Sequence, residues 1–330
     1  MKMTLIVAAV SALAATGALA QSSVTVYGRL NTSLEEQKNI AVNGNQSVMQ
    51  NNASRLGFKG TEDLGGGLKA DFLLEHRFNS DTGTQTGSAF WAGDAYVGLS
   101  GGFGAIKLGR LTSAAYYATA DYISMHNHDT GTSDDKLYTY LGQNANTIAY
   151  TTPSLGGFTA EASISAGEGA SRNNKVFGLG VNGAIGKLQL GFGYEKNDGD
   201  KDNQLAIRGL YEMGALTFGA YYQRSQDKGV GGLGNRDAYR VAAMYTAGAS
   251  EFHVNVGMAD DWSKLGNSDA KQYTVGYNYN LSKRTKVYAF YTVTDNGSNY
   301  SYFSYLGNGA VVNNRAAEAS ALALGVRHNF

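Results

Sequence analysis

Cysteine is absent from the 330 residues, and proline occurs once, at Pro153. No disulfide can staple this chain, so hydrogen bonding and burial must hold it together. Surplus charge is lacking too: 27 basic and 27 acidic residues cancel, which gives no reason to expect a nucleic-acid partner. Long apolar runs are missing beyond the first residues, and a membrane-spanning helix needs about 20 apolar residues in succession. The one candidate is the start, where Met1-Lys2-Met3 precedes Leu5-Ile6-Val7-Ala8-Ala9-Val10 and the run closes on Ala18-Leu19-Ala20. A basic start, a short apolar centre and a small-x-small end describe a secretory signal cleaved after Ala20. The mature chain, residues 21–330, then crosses no membrane as a helix.

What the chain has instead is glycine, 44 residues, and tyrosine, 22. The glycine share is about 13% where roughly 7% is ordinary, as suits many strands and turns. The governing pattern is plainest between Ser54 and Phe78. Leu56, Phe58 and Gly60 alternate with Arg55, Gly57, Lys59 and Thr61. After the turn Glu62-Asp63-Leu64-Gly65-Gly66-Gly67, Leu68, Ala70, Phe72 and Leu74 alternate with Lys69, Asp71, Leu73, Glu75 and Arg77. Successive strand side chains point to opposite faces, so each segment has an oily and a wet face.

The same rhythm starts at Ser23, with Val24, Val26, Leu30 and Leu34 opposed to Thr25, Tyr27, Arg29, Asn31 and Ser33, and recurs to Phe330. Sixteen strands are predicted. Glu36 to Gln50 and Ser80 to Gly87 read as polar loops. Leu111 to Ala145 reads as the longest connection, far beyond the usual loop of about 4 to 6 residues. Elsewhere short turns, such as Met213 to Ala215, alternate with long polar loops, such as Ser225 to Arg236 and Asp295 to Arg315. Aromatic residues close several oily faces: Tyr194, Tyr211, Tyr222, Tyr245, Tyr279 and Phe330. Alternating loop lengths, an even strand count and aromatic girdles describe an all-β, antiparallel transmembrane β-barrel of the outer-membrane type. In hydrocarbon such a sheet must close, first strand on last.

Several stretches then match a known family. Ser22-Ser23-Val24-Thr25-Val26-Tyr27-Gly28, the run from Ser54 to Ala70, Ala95-Tyr96-Val97-Gly98-Leu99-Ser100, Leu108-Gly109-Arg110, Leu281-Ser282-Lys283-Arg284-Thr285 and the ending Gly325-Val326-Arg327-His328-Asn329-Phe330 resemble the trimeric general porins of Gram-negative beta-proteobacteria. The resemblance implies a homotrimer of 16-stranded barrels in the outer membrane, each a water-filled pore for passive passage of ions and small hydrophilic solutes. It implies no cofactor. It also implies that the third outer loop, here residues 111–145, folds into the pore as a constriction. The loop acids Asp121, Asp129, Asp134 and Asp135 would then face a basic wall of Arg29, Arg55, Lys59 and Arg77. Phe330 would be the signal read by the barrel-assembly machinery, and lipopolysaccharide a lipid partner. Members with strong anion preference resemble one another in an arginine shortly before Ala-Tyr-Val-Gly, where this chain has Gly93-Asp94, and an Asp is usual where Asn31 stands. A weak preference leaning to anions is therefore expected.

Other chemistry finds little support. His126 and His128 form an i, i+2 pair without a third histidine or a cysteine nearby, an incomplete metal set. Gly231-Gly232-Leu233-Gly234 lies between strands with no helix following, so it is no phosphate cradle. No nucleophile elbow orders the scattered serine, histidine and aspartate residues. Two alternatives remain to be weighed: a barrel hydrolase using an outward histidine such as His76 or His328, and a secreted soluble lectin-like sandwich whose oily faces bury one another.

Overall fold

A computed structural model gives the fold, described for residues 23–41, 44–123, 130–139, 143–167, 175–229, 231–303, 310–314 and 317–330. The proposed signal (1–20) and His126, His128 and Asp129 lie outside these residues, as does the side chain of Asp121.

The strands in chain order are β1 (Ser23–Ala41), β2 (Gly44–Asn51), β3 (Arg55–Gly65), β4 (Leu68–Arg77), β5 (Ala95–Gly101) and β6 (Gly104–Thr112). A helix, α1 (Ala114–Ile123), and a 3-10 turn (Gly131–Ser133) follow. Then come β7 (Gln143–Thr151), β8 (Phe158–Ser165), β9 (Val176–Ile185), β10 (Leu188–Asn197), β11 (Asn203–Met213), β12 (Leu216–Asp227) and β13 (Gly234–Ala247). The chain ends with β14 (Ser250–Ala259), β15 (Ala270–Asn280), β16 (Thr285–Asn296), the short pair β17 (Tyr300–Ser301) and β18 (Ala310–Val311), and β19 (Ala319–Asn329).

Each strand of the large sheet pairs antiparallel with its sequence neighbour. β1 pairs with β3 along its first part and with β2 along its second, so β2 and β3 are two lengths of one barrel strand bent at residues 52–54. Counted that way there are sixteen strands. β19 closes the ring on β1, from Arg29↔Asn329 to Lys38↔Ser320. The Phe330 amide and carbonyl complete the seam against Gly28, at 3.1 and 3.0 Å. Closure leaves no edge to present unpaired backbone groups, each of which costs several kcal/mol in hydrocarbon.

Alternation sorts the two faces, and burial shows which is which. On β15, Tyr273, Val275, Tyr277 and Tyr279 are exposed while Gln272, Thr274 and Asn278 are buried. Leu34 and Leu324 are 62% and 65% exposed, whereas Glu195 and Gln223 are fully buried. A soluble sandwich would reverse this, and that alternative is excluded. Apolar side chains form the outer belt and polar side chains line the enclosed face. Hairpin turns on the short-loop side, such as those at Gly186, Gly214 and Gly248, use φ near +60°, which a right-handed strand twist demands and glycine supplies.

Two expectations are corrected. Residues 36–50 are not a loop: β1 and β2 continue as a hairpin with Lys38 opposite Asn45. Over residues 36–38 and 45–47 both faces are polar, so the period-2 signal fades, yet Gln46 donates to Gln37 at 2.8 Å and Ser47 to Glu36 at 2.5 Å across the pair. The connection after β6 also contains helix α1, where no helical pattern was expected.

Candidate functional site

The segment between β6 and β7 is fastened by its own sequence. Ala114–Ile123 is alanine-rich, a composition with high helix propensity. Ten residues are too few to hold a helix alone, so the ends and the seat matter. Ser113 caps the start: its Oγ accepts from the Ala115 and Tyr116 amides at 3.2 and 3.4 Å. The same hydroxyl donates to Glu195 on β10 at 2.8 Å. Asp94 fixes the approach, accepting from the Thr112 amide and hydroxyl at 2.8 and 2.6 Å.

The helix rests on bare backbone. Gly180 and Gly193 face each other across β9 and β10, and a Cβ on either would come within 2.4 Å of the Ala114 carbonyl or 2.8 Å of the Ala115 Cα. Beyond them, the Arg208 guanidinium on β11 donates to the Ala118 carbonyl at 2.8 Å and to Asn182 at 2.9 Å.

The second half of the segment crosses further strands of the wall. Asp135 receives two hydrogen bonds from Arg240 on β13, at 2.8 and 2.7 Å, and one from the Tyr221 hydroxyl on β12 at 2.7 Å. Burial alone would push the Asp135 carboxyl up, but the Arg240 guanidinium and these bonds hold it below the usual carboxylate range. Burial likewise pushes the Tyr138 hydroxyl up. Arg236 donates to the Leu137 carbonyl at 2.5 Å, to Thr139 at 2.6 Å and to Tyr302 at 3.0 Å. Gln223 accepts from the Thr139 amide at 2.8 Å, Gln272 donates to the Asp134 carbonyl at 2.8 Å, and Thr132 bonds Glu35 on β1. Residues 113–123 and 130–139 are thus tied to the polar face of β9 to β13, β15 and β1.

The strands on the other side carry a different pattern. Arg29, Arg55 and Arg77 stand directly opposite one another on β1, β3 and β4. Strands lie about 4.8 Å apart, so the three backbones sit within about 10 Å. Like charges so aligned repel. Glu75 offsets the repulsion: it accepts from Arg77 Nε at 3.1 Å and from the Tyr27 hydroxyl at 3.1 Å, and lies 3.9 Å from Arg55. Glu75 also fills the space over Gly93, where an added Cβ would meet its carboxylate at 2.5 Å. Lys59 lies four residues along β3 from Arg55, over the Tyr27 ring at 5.3 Å.

The expected wall residues Arg29, Arg55, Lys59 and Arg77 therefore share one polar face, and three form a row. Among the loop acids, Asp135 meets Arg240 rather than that row, and Asp134 pairs with Lys136 at 2.9 Å. Sequence reasoning missed Glu195, Arg208, Arg236, Arg240 and the Gly180/Gly193 seat. Alternation places each on a wet face, which is the only signal they give.

A closed sixteen-stranded antiparallel barrel with an apolar outside, a polar inside and an internal arginine row defines an outer-membrane β-barrel channel. The family model described as Gram-negative porin matches residues 7–299, and the chain belongs to that family. It is 33% identical over 319 residues to outer membrane porin protein 32 of Delftia acidovorans, covering 87% of this chain and 88% of that protein. The fold is similar to that of an anion-selective porin from Comamonas acidovorans, with a TM-score of 0.78 and 25% identity over 94% of this chain and 100% of that one. OmpT of Vibrio cholerae, solved in a trimer form, shares the fold at a TM-score of 0.71 and 17% identity over 94% and 99% of the two chains. The chain is an outer-membrane diffusion porin, a channel and not an enzyme.

Proposed function

We propose that residues 111–145 form the constriction of this porin, and that solutes pass between this segment and the row of Arg29, Arg55 and Arg77. The observation that carries the reading is the lopsided fastening of residues 113–123 and 130–139. They are tied to β9 to β13, β15 and β1 by the bonds above, while Arg55 and Arg77 keep side-chain exposures of 22% and 35%. Where water is scarce, such a row sorts ions by charge. Glu75 within the row and the absence of an arginine at Gly93 make the preference weak, leaning to anions.

The resting assembly in this reading is a homotrimer, exported behind a signal cleaved after Ala20 and folded by the barrel-assembly machinery through the strand ending at Phe330, in contact with lipopolysaccharide. Planar-bilayer recording tests it. Conductance appearing in steps of three, with a zero-current potential in a salt gradient on the anion side, is expected. Single uncoupled steps, or a potential on the cation side, would contradict it.

A further inference from the structure

On the short-turn side of the arginine row the polar face contains a second feature, a hollow of about 310 Å³ on β3 to β6. It is built by register. Asp71, Gly98 and Lys107 stand opposite one another on β4, β5 and β6, and Gly98 between the two charges leaves the floor bare. Lys59 and Tyr96 lie in the next row of pairs, with Leu73 between them. Lys59 is four residues from Arg55, about 13 Å along the strand, so the hollow is separate from the row.

The charges in the hollow are unevenly matched. Lys107 lies over the Tyr96 ring at 5.5 Å and already has a counter-ion, Glu161, at 3.4 Å. Asp71 accepts only hydroxyls, from Thr61 at 2.8 Å and Ser100 at 2.6 Å. Lys59 contacts the Tyr27 ring. Among the described residues neither Lys59 nor Asp71 has an ion-pair partner. The two are diagonal neighbours on adjacent strands, a separation of about 7–8 Å, and they do not bond each other. One ammonium and one carboxylate, held apart over an open floor, complement a ligand carrying both charges.

We infer that this hollow is a binding subsite for small zwitterions of the α-amino acid class, with the ligand carboxylate toward Lys59 and its ammonium toward Asp71. A dicarboxylate would set one of its charges against Asp71, and a simple cation would meet Lys59 and Lys107. The inference rests on the open channel proposed above: a solute in transit would pause here between the arginine row and the short turns.

The purified full protein in planar bilayers, with L-glutamine as the probe, tests this. Glutamine is net neutral and leaves ionic strength unchanged. It should lower the ion current saturably, and more strongly than succinate or ethylamine at equal concentration. Lys59→Gln and Asp71→Asn should each raise the apparent dissociation constant for glutamine roughly tenfold, the worth of one charge-assisted contact, and Asp71→Asn should in addition shift the preference to succinate. Calorimetric titration of the detergent-solubilised protein gives the same comparison independently of current. Succinate outcompeting glutamine on the unaltered protein, or both variants keeping its glutamine response, would overturn the subsite. Conducting channels that ignore glutamine would overturn it while leaving the porin reading intact, whereas a folded protein that conducts nothing would remove both.

Discussion

Arg208, Arg236 and Arg240, on β11 and β13, are at most 5% exposed and donate to carbonyls, amides and a carboxylate of the wall and the segment they hold. Arg55 and Arg77, on β3 and β4, keep about a quarter to a third of their side chains open, with Glu75 between them. The same residue type does two jobs. Where the guanidinium is buried and donates to protein acceptors it becomes a fixed joint, and at Arg240 the Asp135 carboxylate cancels its charge. Where one carboxylate serves several cations beside water, a positive field remains for a passing ion. In the proposed reading, one side of the wall positions the segment and the other sets selectivity.

The comparison breaks most sharply at Arg240. Replacing it with alanine leaves the Asp135 carboxylate buried without its partner, which costs about 3–5 kcal/mol, and the unfolding midpoint in denaturant should fall accordingly. Pairing that change with Asp135→Asn should recover most of the loss, because no buried charge is then stranded. The pH dependence follows from the sign of the shift. The Asp135 carboxyl is held below its unfolded value, so its contribution is complete above about pH 4 and is lost as pH falls through the depressed value. The stability gap between the unaltered protein and Asp135→Asn should therefore stay constant from neutral pH to about pH 4 and shrink only below it.

A smaller effect is expected at the glycine seat. Gly193→Leu sets a side chain where the helix backbone lies, an overpacking cost of about 1–3 kcal/mol. The helix should lift off β10, seen as noisier single-channel current together with a lower melting temperature. Quiet current with unchanged stability would mean that α1 does not rest on this seat. Smaller again is Glu75→Gln, which leaves the joints intact and should raise the anion-to-cation permeability ratio by about a factor of two, since one carboxylate leaves a partly screened site.

How much of this was legible depends on where the physics is local. The barrel was readable because every membrane-crossing strand must show lipid one face and water the other, as Tyr273 to Tyr279 do on β15. The hairpin continuing through Lys38 and Asn45 was not, because beyond the oily belt neither face needs an apolar residue and the ladder with polar cross-strand bonds holds the pair. The wall row was half legible: alternation placed Arg29, Arg55 and Arg77 on wet faces, but their direct opposition is a matter of register. The joints were illegible. Asp135 and Arg240 are 105 residues apart, and nothing in either local sequence names the other. Asp94 shows the same limit, since its tether to Thr112 is not written in its local sequence.

The division between the two walls is tested most directly by the zero-current potential in a potassium chloride gradient. It should be measured for Arg55→Gln/Arg77→Gln and for Arg240→Gln/Asp135→Asn beside the unaltered protein. The first pair should move the potential toward cations, more at low ionic strength where screening is weaker, and the second pair should leave it where it was. A potential unmoved by the first pair, or moved as far by the second, would contradict the account.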